Sequence, residues 1–67
     1  MIKYFVSRIA DGKPYKAWSD HARKFVPADQ KLYVTYYSDY ETALARRNRL
    51  RRLFPKMAED LYVDSTI

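Results

Sequence analysis

The chain contains no cysteine and only one glycine, and each scarcity removes a class of function. Without cysteine there is no disulfide framework, no thiolate metal site and no cysteine nucleophile. A packed core or a partner chain must therefore supply the stability that covalent staples give other small proteins. Such a chain suits the cytosol. The lone Gly12 rules out a glycine-rich phosphate loop. Long apolar runs are missing as well, since no stretch approaches the roughly 20 residues of a membrane-spanning helix. Met1 to Arg8 is too short and too soon interrupted for a signal peptide. The expectation is a soluble, unprocessed chain without a membrane partner.

Histidine is nearly absent too. His21 alone cannot build a usual structural zinc site where cysteine is lacking, and Asp20-His21 reads as a solvated loop pair rather than an acid-base couple. Ser7, Ser19, Ser38 and Ser65 have no neighbours that would make a nucleophile. No catalytic residue, no cofactor, no metal and no small-molecule substrate is expected, and the chain reads as a non-enzyme.

What is present is basic and aromatic. The 67 residues make one domain near the lower size limit for folding alone, with 13 Lys and Arg against 8 Asp and Glu for a net charge of +5. An apolar fraction of 48% sets the chain apart from disordered compositions. Aromatic side chains bury the most area each, so most of the seven Tyr, three Phe and one Trp are accounted for by core duty in so small a domain. Trp18 in particular reads as a core anchor.

Residues 2–9 are rich in β-branched and aromatic types and stop at Asp11-Gly12, a dipeptide suited to a hairpin turn. The return arm, roughly 13–19, contains Pro14, which places it at a sheet edge or makes it start late. Between 19 and 30 the periodicity weakens around one short extended piece, 22–26. Residues 31–37, Lys-Leu-Tyr-Val-Thr-Tyr-Tyr, carry the clearest strand pattern. Ser38 with Glu41 spells a capping box, predicting a helix from about Ser38 to Phe54 that Pro55 ends. Its apolar face comprises Tyr40, Ala43, Leu44, Leu50 and Phe54. A last strand follows over 60–64. The expected fold is α+β: a small, mostly antiparallel sheet of three or four strands with one helix packed on one face, in the order β-β-β-α-β.

Alternation along strands then sorts the sheet faces. Leu32, Val34 and Tyr36, with Phe5 and Ile9 and with Leu61 and Val63, are expected under the helix. The opposite set, Tyr4, Tyr33, Tyr37 and Tyr62, would share an open face, because one helix covers one side of a sheet.

The densest local feature is the second half of the helix, where Arg46, Arg47, Arg49, Arg51 and Arg52 are followed by Lys56. Cations in a last helical turn complement the macrodipole, and arginine stems cover apolar surface. Those effects account for two or three of the five arginines and leave the others for a partner. Guanidinium groups bind carboxylate and phosphate alike, so the sign of the partner is acidic. Tyr and Arg are both enriched in protein interfaces. The primary reading is thus a small regulator or inhibitor acting through protein–protein contact, with homodimerisation through the tyrosine face as one form of it. Such compact basic chains are common among accessory proteins of phages and mobile elements. The alternative is sequence-tolerant DNA or RNA binding by the arginine-rich helix and stacked tyrosines. Against it, no glycine spaces the aromatics of 2–9 or 31–37.

Overall fold

The computed structural model describes residues 2–9 and 15–66. β1 (Tyr4–Arg8), β2 (Lys16–Ser19), β3 (Lys24–Pro27) and β4 (Leu61–Ser65) form one antiparallel sheet in the order β3-β2-β1-β4. One α-helix, α1 (Tyr40–Leu53), and a 3-10 helix at Pro55–Asp60 lie between β3 and β4 in sequence. The chain is an α+β fold in the order β-β-β-α-β.

The third strand is not the expected one. β3 comes from the short extended piece after Asp20, and residues 31–37 hold only an isolated bridge between Tyr37 and Tyr4. Hairpin formation decides this: Lys24 returns directly onto Ser19 across a four-residue turn and fills the place beside β2. The strand-like segment then runs back across the sheet. Its backbone fills the opening where β1 and β2 diverge, with Thr35 N–H donating to the Trp18 carbonyl at 3.0 Å. Tyr37 exchanges two bonds with Tyr4, of 2.7 and 2.9 Å. β2 starts at Lys16, as a late start after Pro14 predicts, yet it lies inside the sheet. The Asp11-Gly12 turn and Pro14 itself fall outside the described residues.

α1 also starts one residue later than the capping box implies. Asp39 is the N-cap, its Oδ1 accepting from Thr42 N–H at 2.7 Å, so Ser38 and Glu41 are not the reciprocal pair. Hydrogen bonding from Thr42, by its side chain first and then by its backbone N–H, holds the Asp39 carboxyl below its ordinary range. The helix ends at Phe54, whose N–H reaches the Leu50 carbonyl before Pro55 opens the 3-10 turn.

Both sheet faces are covered. On the helix side Val6, Trp18, Leu50 and Leu61 are buried together, flanked by Phe25, Tyr37, Phe54 and Met57. On the other side Ala17, Val26 and Val34 are buried, with Phe5 and Tyr36 packed against them. The expected helix-side set is therefore right for Leu61 but inverted for Phe5, Val34 and Tyr36, which lie on the opposite face. For Val34 and Tyr36 the reason is that the crossing segment packs its alternate side chains against Ala17 and Val26; for Phe5 it is the register of β1 on β4, which sets Val6 rather than Phe5 opposite Val63.

The tyrosine quartet does not form one open face. Tyr4 packs edge-on against Tyr40 of the helix, with ring centroids 5.8 Å apart, and Tyr37 joins the helix-side core. Tyr62 follows the opposite parity and is exposed, and Tyr33 sits in the turn after β3. A one-residue shift in β1 relative to the expected alternation carries Tyr4 to the helix side.

Candidate functional site

The β2–β3 turn and the flank of α1 enclose a cleft of about 630 Å³. It is lined by Trp18, Leu50, Leu53 and Phe54, and by Asp20, Arg23, Arg46 and Arg49. A second hollow of about 260 Å³, lined by Tyr37, Thr42 and Ala45, shares Arg46 and Arg49 with it. Together they make a groove along α1 from Thr42 to Phe54, about 18 Å at the helical rise of 1.5 Å per residue.

The groove has a rigid base. Trp18 donates its indole N–H to Asp20 Oδ1 at 2.6 Å, and the Tyr37 hydroxyl donates to Oδ2 at 3.0 Å. The Thr35 hydroxyl accepts from Asp20 N–H at 2.7 Å. Asp20 is thus fixed from β2, from the crossing segment and through its own backbone. Arg46 Nε stands 3.6 Å from Oδ1, pairing helix to turn. Partial burial, followed by the hydrogen bond to Asp20, raises the Tyr37 hydroxyl to about 12, so it remains a donor at neutral pH. Trp18 is packed between Phe25 and Phe54, with ring centroids at 5.2 and 6.2 Å, and is only 6% exposed.

Arg23 stands at the end of the β2–β3 turn with φ 55°, in the left-handed region that favours glycine or asparagine. Its side chain is exposed and makes no hydrogen bond or ion pair among the described residues. An arginine is therefore held at a backbone position that its own chemistry disfavours, at the rim of a cleft already holding two more.

The five expected helix arginines separate into different roles. Arg46 and Arg49 line the groove. Arg51 turns toward β4 and donates to the Leu61 carbonyl at 3.0 Å, on the side of β4 away from β1. It therefore covers part of an otherwise open sheet edge. Arg47 donates to Asn48 Oδ1 at 2.9 and 3.3 Å, while Arg52 and Lys56 are exposed and away from the groove lining. Of the expected tyrosines, Tyr37 alone borders the groove, in its smaller hollow. Arg23, Asp20, Leu53 and the position of Trp18 were not expected at a site. An arginine closing a four-residue hairpin turn, where glycine would be at ease, was the available signal for the first of these.

Among the described residues no group of three or more His, Cys, Asp or Glu side chains could hold a metal ion, and no helix is long and apolar enough to cross a membrane. What the groove offers chemically is an apolar floor, three guanidinium groups and one fixed carboxylate. Comparison of the chain with protein-family models, with curated proteins and with solved structures gives no match.

Proposed function

We propose that this protein is a non-enzymatic binding module, a regulator or inhibitor that works by contact with another protein through the arginine-bearing groove of α1. The observation that carries this reading is the convergence of Arg23, Arg46 and Arg49 from two separate elements on one cleft with an apolar floor. Convergent cations over buried aromatic residues match the anchors that dominate protein interfaces. Nucleic-acid binding is less well supported. Trp18 has its ring against Phe25 and Phe54 rather than open to a base, and the tyrosines are divided between faces. A cytoplasmic setting belongs to this proposal, since a cysteine-free chain gains nothing from an oxidising compartment.

Affinity capture with the full chain tests the reading. Nuclease-treated extract should yield a protein retained by the parent chain and lost with the R46E/R49E double variant. Capture that disappears on nuclease treatment, or that survives the double charge reversal unchanged, contradicts it.

A further inference from the structure

Resting on that reading, we infer that the groove takes an extended acidic segment of a partner protein, about five or six residues long, with an apolar side chain as its anchor. Length is set by the groove: about 18 Å accommodates that many residues at roughly 3.3 Å each in extended chain. Charge is set by its walls. Arg23, Arg46 and Arg49 against Asp20 leave a local balance of +2, inside a molecule of net charge +5. Carboxylates satisfy a guanidinium fork in plane and attract at a distance, and the net charge draws an acidic segment in.

The apolar anchor is set by the C-terminal end of the groove. Leu53 is 60% exposed there, beside half-buried Phe54 and above buried Leu50 and Trp18. A helix residue so placed leaves apolar area in water that a leucine-sized or aromatic side chain would cover. Asp20 refines the match. It engages Arg46 at Nε and is itself held by Trp18 and Tyr37, so it cannot swing out of the way. An incoming carboxylate is repelled from the middle of the cleft and directed to Arg23 on the turn side or Arg49 on the helix side. The segment that fits best therefore carries acidic residues on both sides of a short gap, rather than an unbroken acidic run.

A random heptapeptide library displayed against the full-length chain tests this. Enriched peptides should carry two or more acidic residues together with a leucine or aromatic residue. Their synthetic versions should shift the fluorescence of Trp18, the only tryptophan. The R23G/R49E double variant should bind them about tenfold more weakly. R52E, which makes the same charge change as R49E but away from the groove, should bind within about twofold of the parent. Both sites are exposed, and neither Arg23 nor Arg49 holds an intramolecular hydrogen bond among the described residues, so the fold is kept. Enrichment of peptides without acidic residues, or equal weakening by R52E, overturns the inference while leaving protein binding intact. Failure to enrich any peptide, together with a saturable Trp18 response to single-stranded oligo-dT, overturns both.

Discussion

Replacing Arg23 by glycine should make the protein more stable and its groove weaker. The backbone of Arg23 lies at φ 55°, which costs an ordinary residue about 1–2 kcal/mol and glycine almost nothing. Glycine returns about 0.4–1 kcal/mol of that by enlarging the unfolded ensemble. The side chain brings no hydrogen bond or ion pair among the described residues to offset the exchange. R23G should therefore gain about 0.5–1 kcal/mol, against a total of about 3–10 kcal/mol for a chain this long. At roughly 4–8 °C per kcal/mol for a domain of this size, the Tm should rise by about 2–8 °C. Circular dichroism at 222 nm during heating measures this directly. Loss of one exposed charge contact should weaken binding of an acidic peptide by about 1.5- to 5-fold. R23A separates the two effects, because it loses the charge but keeps a side chain at positive φ: it should weaken binding equally without the gain in Tm. A fall in Tm for R23G would mean that the arginine holds the turn together, and the argument that it is kept there for binding would fail.

Three further outcomes follow from particular contacts. D39A should lower the Tm, whereas S38A should stay within about 0.5 kcal/mol of the parent, because Asp39 and not Ser38 caps α1. The carboxyl of Asp39 is depressed in the folded protein, so its contribution is present above the unfolded value and lost as pH falls through the folded one. The gap between parent and D39A should accordingly narrow in acid thermal scans. R51A should destabilise by about 1–2 kcal/mol in urea titration and promote self-association, since the Leu61 carbonyl loses its donor and the β4 edge loses its cover; R52A should do neither. Ultraviolet titration should find Tyr15 and Tyr37 ionising near pH 12, both raised chiefly by burial and then by their bonds to Asp64 and Asp20. Because the folded values lie above the unfolded one, the stability these tyrosines add is complete below pH 10 and lost between about pH 10 and 12. Y37F should remove one of the two late transitions.

The order of elements was legible because hydrophobic periodicity and a proline-stopped helix are local signals. What propensity could not reveal was which of two extended segments would take the place beside β2. Residues 31–37 have stronger strand composition than 24–27, yet the nearer segment closes a hairpin across four residues and occupies that place. The displaced segment keeps its alternation and uses it to cover Ala17 and Val26, so Val34 and Tyr36 lie on the face opposite to the one expected. Such a covering strand and a paired strand carry the same period of two. Parity inside a segment is readable; the side of the sheet it meets is a property of the whole fold. The arginine cluster was legible as a cluster, but its division was not. Arg51 serves the β4 edge, Arg46 and Arg49 serve the groove, and Arg23 joins them only because the hairpin brings its turn beside the helix.

The most direct test is a nitrogen–proton correlation spectrum of the labelled chain during titration with a hexapeptide containing two glutamates and a leucine. The Trp18 indole N–H gives a single resolved signal, because the chain has one tryptophan and that group is bonded to Asp20 in the groove. It should move, together with the backbone amides of 20–23 and 46–54, and a peptide with glutamine in place of glutamate should move them far less. Shifts centred instead on Tyr62 and β4 or on the turn at Leu32, or equal shifts with the glutamine peptide, would contradict the assignment of the α1 groove as an acidic-segment site.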